Sequence, residues 1–389
     1  MMKHHFFILL TISMIIGLSS CQKEKEPFVC IVTADMRSAA MPEFRNSSYF
    51  QGACEAIKTA GRGMFMICPG DIDPPVYVRE VIADILGTDY PWYPVVGNHE
   101  LDAPEHMPYL RAYNKNGTSL PNIVRSGPPG SEETTYSFDW ADNHFVVLNQ
   151  YYDGKSDIGT DGDMVPELLA WLETDLKQNS KQNVFVFGHE PLIAIPDMDN
   201  GRLRHQDDSL NKYPKRSFKF SQTLKKYKVK AYICGHTHNT SIAKINDLWQ
   251  IDVGHARGIE ALFPALLWEK LDKELKTNTA PAQNVITDFY NENDSDIKRI
   301  LYYTELTDGV SYKDLDDKAG FILFKQFYSQ FSSDAMYRKR VSQRYQENAN
   351  LARSTFFRFI VQGEEVGIEI YRDDARGGRY ELTHLTVLD

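Results

Sequence analysis

Short apolar runs alternate with helix-like segments over residues 28–262, and this alternation predicts an α/β fold. Five runs indicate buried strands, at residues 28–34, 64–68, 93–96, 184–187 and 231–234. Segments with apolar residues at helical spacing lie between them, at residues 47–60, 76–86, 165–178 and 217–227. Further strand-like runs indicate more than a single parallel sheet, at residues 135–139, 144–149, 240–245 and 249–253.

The pattern changes from about residue 261, where charged and aromatic residues recur at helical spacing. We expect helices at residues 261–275 and 322–345, with an irregular stretch at 277–295. Alternating residues then predict strands, at 354–361, 366–371 and 380–388. These strands are expected to return to the main sheet, because three isolated strands make a marginal unit. The predicted organisation is a core at 28–262, a mostly helical insertion at 263–352 and C-terminal strands at 353–389.

Two segments, residues 104–133 and 195–217, are rich in Pro, Gly, Asn and charge and predict long loops. Loops of this length in a compact domain are usually functional or disordered. Both loops emerge near candidate metal-binding residues. They are expected either to line a binding site or to be mobile loops on the surface.

The first twenty residues predict a targeting segment rather than part of the fold. A cationic start precedes an almost wholly apolar stretch at residues 6–18, which is too short to span a membrane. The sequence LSSC at residues 18–21 resembles a bacterial lipoprotein cleavage box, with Cys21 as the acylated residue. Residues 21–27, of which 23–26 are charged, would form a tether. We expect a lipid-anchored protein of the cell envelope, periplasmic or surface-exposed; an ordinary signal peptide is the alternative.

The amino-acid composition limits the classes of protein to which this chain can belong. The chain has 389 residues, 42% of them hydrophobic, which is enough for one large or two ordinary packed domains. The formal net charge is −10 and no Lys/Arg cluster follows a groove-like pattern, so no nucleic-acid partner is expected. The cysteines other than Cys21 are expected to be free and buried, although a bridge between Cys30 and Cys68 stays open.

Each of the five strand-like runs is followed by a side chain that binds metals. These residues are Asp35, Asp71, Asn98, His189, and His236 with His238. Open α/β sheets bind ligands beyond the carboxyl ends of their strands, so we expect these side chains to converge. Carboxylate and amide oxygens mixed with imidazoles favour Mn, Fe or Zn over Ca. A set large enough for two ions indicates metal-assisted hydrolysis.

Individually, these signals have ordinary alternatives. Asp71 follows a glycine that permits a tight turn, and it could simply cap the next helix. The pair His236 and His238 follows Gly235, and both can reach one region only if the chain turns there. A surface turn with two incidental histidines is the alternative for that segment.

Taken in order, the motifs resemble those of the calcineurin-like metallophosphoesterase family. They are Asp35, GD at residues 70–71, GNHE at 97–100, GH at 188–189 and GHTH at 235–238. The resemblance covers about residues 28–258. It implies an α/β fold of the α+β type, in which a two-sheet β-sandwich is flanked by helices, here with a helical C-terminal insertion.

The resemblance also implies roles for these residues. Asp71 would bridge two metal ions, and Asn98, His189 and His236 would complete one site. Asp35 and His238 would belong to the other site. His99 would donate a proton to the leaving oxygen. A shared water activated by the two ions would attack a phosphate ester.

One position departs from the family pattern. Many members have a histidine two residues after the first aspartate, where this chain has Arg37. Arg37 cannot ligate a metal; it could clamp a phosphate, or pair with Asp73 or Glu100 as structure. Asp73 is the nearest candidate for a replacement ligand, and water could also fill the gap. Two further candidate substrate contacts follow a strand near the site, and a polar turn is their alternative reading: His255 and Arg257.

The leading hypothesis is a lipid-anchored phosphoesterase that acts on a small phosphorylated substrate. The rival is a non-catalytic lipoprotein that binds a phosphate ligand on the same fold, with Arg37 neutralising a degraded metal site. The remaining motif residues argue against the rival, and the missing histidine argues for it.

Overall fold

The computed structural model describes residues 27–199, 201–258, 263–312, 314–349, 353–373 and 379–388. The expected signal peptide at residues 1–20, the candidate lipidation residue Cys21 and nearly all of the tether lie outside these ranges. Within them, every helix is too short or too polar to cross a lipid bilayer.

Thirteen strands are described. They are β1 Phe28–Val32, β2 Met66–Cys68, β3 Trp92–Pro94, β4 Ile123–Ser126, β5 Tyr136–Trp140, β6 Asn143–Val147, β7 Asn183–Phe187, β8 Ala231–Cys234, β9 Thr240–Ile245, β10 Leu248–Val253, β11 Thr355–Gln362, β12 Glu365–Asp373 and β13 Tyr380–Leu388. The α-helices in the described ranges are α1 Phe50–Ala60, α2 Pro75–Leu86, α3 His106–Tyr113, α4 Pro166–Gln178, α5 Pro214–Lys226, α6 Phe263–Thr277, α7 Ala282–Tyr303, α8 Asp317–Ser333 and α9 Ala335–Ala349.

Local sequence explains several helix boundaries. Pro75, Pro166 and Pro214 start α2, α4 and α5, where a proline costs no intrahelical hydrogen bond. Gly61 and Gly87 end α1 and α2 at φ values of 101° and 118°, which only glycine adopts readily. These boundaries place each helix directly after the turn that follows a strand or loop.

The strands form two sheets. One has the order β13-β12-β11-β1-β2-β3, and the other has the order β4-β5-β6-β7-β8-β10-β9. β1, β2 and β3 are parallel neighbours, and so are β6, β7, β8 and β10. β11 pairs antiparallel with β1, with Cys30 opposite Phe359. The parallel strands of each sheet therefore present their carboxyl ends along one edge.

The two sheets pack face to face around one apolar core. Tyr93 of one sheet stacks on Phe138 of the other with ring centroids 3.7 Å apart. Burying such a side chain stabilises the fold by roughly 1.5–3 kcal/mol. Helices α1, α2 and α3 cover the outer face of the first sheet, and α4 and α5 cover that of the second. The expected two-sheet sandwich flanked by helices is confirmed.

Helices α6 to α9 bury an apolar core of their own, centred on Trp268, Phe289 and Phe324. This is the helical insertion that the sequence predicts. The cysteines at 30, 54, 68 and 234 are free and buried, as expected.

Three local expectations were wrong. The segment 104–133 contains α3 and β4, because Pro108 lies in the first turn of α3, where proline is tolerated. The stretch 277–295 is not irregular, since α7 covers most of it. The single helix expected at 322–345 is broken at Asp334, which is extended and whose carboxylate accepts the backbone N–H groups of Met336 and Tyr337.

Candidate metal centre

The residues singled out by the motifs converge where the carboxyl ends of parallel strands from both sheets meet. Asp35, Asp71 and Asn98 follow β1, β2 and β3. The histidines follow β7 and β8 of the other sheet. The backbone N–H of Gly235 donates to the carbonyl of His189 at 3.1 Å, which ties the ends of β7 and β8 together. The predicted convergence therefore occurs between two sheets rather than at one.

The backbone is strained at four of these residues. Asp35, Asp71, His236 and His238 have φ values of 55°, 53°, 71° and 57°, in the left-handed region that non-glycine residues rarely adopt. Each such residue costs on the order of 1 kcal/mol, and such strain clusters at functional sites. The turn after β8 explains how both histidines face the centre.

Four donor atoms form a first cluster. Asn98 Oδ1 lies 3.1 Å from His189 Nε2 and 3.2 Å from His236 Nδ1. The two histidine nitrogens are 3.2 Å apart, and Asp71 Oδ1 is 3.4 Å from His189 Nε2. Ligands about 2.0–2.1 Å from one ion lie about 3.0–3.5 Å from each other. The cluster therefore fits one metal ion.

The other ring nitrogens are held by backbone carbonyls, which orients the ligand nitrogens. His189 Nδ1 is 2.8 Å from the carbonyl oxygen of Pro69, and His236 Nε2 is 3.0 Å from that of Asp208. A ring N–H that donates to a carbonyl leaves the opposite nitrogen as a lone-pair ligand. Burial lowers the pKa of His189 to about 4, so its imidazole is neutral, as ligation requires.

Glycines make this close approach possible. A Cβ on Gly70 would lie 2.3 Å from His189 Nδ1, and one on Gly97 would lie 2.4 Å from Asp71 Oδ1. A Cβ on Gly235 would lie 2.5 Å from Asp35 Oδ2. The glycine before each of these motifs is thus a steric requirement of the cluster.

A second cluster consists of Asp35, Asp71 and His238, whose ligand atoms lie within 4.8 Å of one another. His238 Nε2 is 3.6 Å from Asp35 Oδ1. Burial and the neighbouring Asp71 and Asp252 carboxylates raise the pKa of Asp35. A cation between the carboxylates would relieve this repulsion, so the donor set suits a second ion.

Two arginines border the second cluster. Arg37 Nε lies 3.5 Å from Asp73 Oδ1, and Arg37 also faces Asp102 at 3.8 Å. Asp73 thus faces a guanidinium and lies outside the second cluster. Arg204 lies 2.7 Å from Nδ1 of His238. Sequence reasoning missed Arg204, which lies in the segment 195–217 with no motif around it.

His99 lies at the mouth of the centre, with 24% of its side chain exposed. Its Nε2 is 3.7 Å from Asp71 Oδ2, and its Nδ1 is 2.5 Å from Asp102 Oδ2. Asp102 was also missed, although an acidic residue three positions along a short helical turn is a signal that could have found it. The pair leaves the His99 Nε2 edge facing the metal centre.

Glu100 does not pair with Arg37. It is fully buried, and its carboxylate accepts the backbone N–H groups of Asp71, Ile72 and Gly97 at 3.0, 2.7 and 2.6 Å. It thereby fixes the turns after β2 and β3 against each other, which positions both Asp71 and Asn98.

The remaining candidates lie around this centre. His255 is fully buried with its ring 5.7 Å from that of His238, and its Nδ1 accepts the backbone N–H of Arg257 at 3.3 Å. His205 was not singled out by spacing, yet its ring lies 4.2 Å from that of His236. His144 lies elsewhere, between Asp139 and Asp175.

Several solved structures resemble the chain. PhoD matches with 11% identity and a TM-score of 0.45, over 92% of this chain and 72% of that one. A candidate 5′-nucleotidase from Staphylococcus aureus, solved with alpha-ketoglutarate, matches with 14% identity and a TM-score of 0.39 over 60% of this chain. The match spans 49% of that protein, about half its length. GAP50, the anchor in the inner membrane complex of Plasmodium, matches with 14% identity and a TM-score of 0.37, over 59% and 71% of the two chains.

Comparison with curated proteins gives no match. The family model for calcineurin-like phosphoesterases matches residues 32–240, more than half of the chain. That range contains every residue of the two ligand clusters and the proton-donor candidate His99. On this match, the chain belongs to the calcineurin-like phosphoesterase family.

Proposed function

We propose that this protein hydrolyses a phosphate monoester or diester with two bound metal ions, drawn from Mn, Fe and Zn. Family membership supports a phosphoesterase-type hydrolase. The observation that carries the proposal is the first cluster, in which Asn98, His189 and His236 donors lie 3.1–3.2 Å apart. Amide oxygen with imidazole nitrogen is a donor set suited to these metals.

The ligand residues divide between two positions. Asn98, His189 and His236 would hold the first ion, and Asp35 with His238 would hold the second. Asp71 faces both clusters, so its carboxylate would bridge them. The ions would lower the pKa of a water molecule and neutralise charge on the phosphate.

His99 is the proposed general acid. Its ring is partly exposed, faces Asp71, and is held by Asp102 through Nδ1. This arrangement leaves Nε2 to donate a proton to the departing alcohol oxygen. General acid–base catalysis typically contributes ~10²- to 10⁴-fold in rate.

Arg37 is the proposed phosphate clamp. Its side chain is 30% exposed and its ion pair with Asp73 is long, at 3.5 Å. A doubly charged phosphate would compete well with such a pair, because a guanidinium binds two oxygens at once. Arg257 is a further proposed substrate contact, whereas His255 is fully buried, with its ring 5.7 Å from that of His238.

The rival hypothesis is a binding protein without catalysis. The replacement of the family histidine by Arg37, and the contact of Arg204 with His238, both favour it at the second position. The complete first cluster favours hydrolysis, since one well-held ion with open positions already suffices to activate water.

We further propose that Cys21 carries a lipid that anchors the protein in the bacterial envelope, on the periplasmic or the outer side. The support is the apolar stretch and the LSSC sequence. A Cys21→Ser variant should leave the membrane fraction; retention of that variant in the membrane would contradict the anchor.

The test of function uses the metal-loaded protein. Metal analysis after loading with Mn, Fe or Zn should give close to two ions per chain. Such protein should hydrolyse p-nitrophenyl phosphate or bis(p-nitrophenyl) phosphate, and Asn98→Ala should abolish this turnover. Two tightly held ions without turnover of any ester would instead support the binding hypothesis.

A further inference from the structure

A cavity of about 630 Å³ opens beside Asn98 at the edge of the metal centre. Its walls come from the segment after β3, from α3 and from the loop at residues 158–160. The apolar part of the lining comes from Leu101, Pro104, Met107, Pro108 and Ile158. The volume lies in the range of about 300–1,000 Å³ typical of small-molecule sites.

The charged side chains in this lining are committed to other parts of the protein. Glu100 binds three backbone N–H groups, and Asp102 binds His99. Arg111 makes a two-point ion pair with the buried Asp157, with Nε 2.9 Å from Oδ2. The lining is therefore mainly apolar, and its one cation, Arg111, is already paired with Asp157, which disfavours a second phosphate there.

The cavity lies next to His99, the proposed proton donor to the departing alcohol. Asn98 and Glu100, which flank His99, both line it, and so does Asp102, which holds the His99 ring. In phosphoryl transfer the attacking and leaving oxygens lie roughly in line on opposite sides of phosphorus. The leaving oxygen must face its proton donor, so the alcohol departs on the side of His99.

We propose that this cavity binds the leaving alcohol, and that the enzyme selects phosphate esters of uncharged, apolar alcohols. The proposal rests on the proposed hydrolase function. The oxygen of water forms a new bond to phosphorus while the bond from phosphorus to the alcohol oxygen breaks. His99 gives its proton to that oxygen, and the proton lost by water goes to solvent.

Primary alkyl phosphates test this selection, because their leaving alcohols differ in length and hardly in acidity. For the metal-loaded wild type, kcat/KM should rise on the order of fourfold per added methylene from methyl to octyl phosphate. Ile158→Asp should flatten this rise, because it should lower kcat/KM for octyl phosphate far more than for methyl phosphate. The matched control is Val124→Asp, since both side chains are 53% exposed and Val124 lies on β4, away from the cavity.

Calorimetric titration with octylphosphonate and methylphosphonate tests the cavity independently of the proposed hydrolysis, because these compounds bind without being hydrolysed. Tighter binding of the octyl compound by wild type and Val124→Asp, lost in Ile158→Asp, supports the cavity even if no ester is turned over. Two results together would overturn the cavity proposal: equal kcat/KM for methyl and octyl phosphate, and equal affinities for the two phosphonates. If p-nitrophenyl phosphate were still turned over, the proposed hydrolysis would stand.

Discussion

A guanidinium nitrogen of Arg204 lies 2.7 Å from Nδ1 of His238. An arginine only donates hydrogen bonds, so Nδ1 must accept, and the proton of a neutral ring then sits on Nε2. Nε2 is the nitrogen that faces Asp35 in the second cluster. Arg204 therefore favours the tautomer that opposes ligation, and it adds a positive charge beside the second cluster.

Removing this guanidinium should strengthen the second metal position. We expect Arg204→Met to bind the second Mn²⁺ at least ~5-fold more tightly, because a charge at this distance contributes more than about 1 kcal/mol. The first ion should bind as in wild type. Calorimetric titration of the metal-free protein measures both steps.

The control for Arg204→Met is Arg202→Met. Arg202 binds the carbonyl oxygen of His238 at 3.2 Å rather than its ring. This variant should leave the second step unchanged. Weaker second-site binding in Arg204→Met would show instead that Arg204 holds His238 in place for ligation.

The proton-donor role of His99 predicts a dependence on the leaving group. His99→Ala should lower turnover of alkyl phosphates by ~10²- to 10⁴-fold. The loss should be much smaller for p-nitrophenyl phosphate, whose leaving group needs no proton. Metal content, measured on the same samples, should not change. Undiminished turnover of alkyl phosphates would remove His99 from the mechanism.

The candidate metal ligands were predictable because each is encoded locally. Asp35, Asp71 and Asn98 follow short buried strands within a few residues, so strand and ligand can be read together in the sequence. The turn that brings His236 and His238 to one point follows from a glycine that permits close approach. Parallel strands place these local units at the carboxyl edge of each sheet, whereas the packing of the two sheets, which brings the edges together, is not encoded locally.

The features that were missed depend on packing between distant segments. Arg204 reaches His238 across 34 positions of sequence, and the pair of Arg111 with Asp157 spans 46. No pattern in the local sequence predicts contacts between residues so far apart. Helix α7 was missed for a related reason. Its Asn-rich sequence has low helix propensity, and burial of Phe289 and its neighbours stabilises the helix instead.

The first cluster predicts a loss of metal on removal of one ligand. Loss of a group that hydrogen-bonds to a metal ligand typically weakens metal binding by ~10- to 100-fold. His236 is a proposed ligand itself, so we expect His236→Ala to weaken binding of the first ion by more than this. Metal analysis after dialysis against a weak chelator measures this loss. His384→Ala is the control, because that ring is exposed on β13, outside both clusters, and its loss should leave the bound metal unchanged. Full metal retention in His236→Ala would contradict the assignment of the cluster.

The surroundings of His144, which lies away from the metal centre, predict that the stability of the fold depends on pH. Its two ring nitrogens lie 2.7 Å from Asp139 and 2.8 Å from Asp175. Arg125 pairs with the Asp175 carboxylate at 3.0 Å, and Lys181 pairs with that of Asp139 at 3.5 Å. Burial lowers the pKa of His144, but the two carboxylates outweigh burial and raise it above its usual value.

A raised pKa in the folded state means that the protonated ring stabilises the fold. This contribution is fully present below the unfolded pKa of about 6.5 and is lost as pH rises through the folded value. We expect His144→Gln to lower the free energy of unfolding by on the order of 2 kcal/mol at acidic pH and by progressively less at alkaline pH. Denaturant unfolding of the metal-free protein across this range measures the difference. The exposed His384→Gln serves as the control and should show no such trend. A cost of His144→Gln that grows with pH would mean that the neutral ring is the stabilising form.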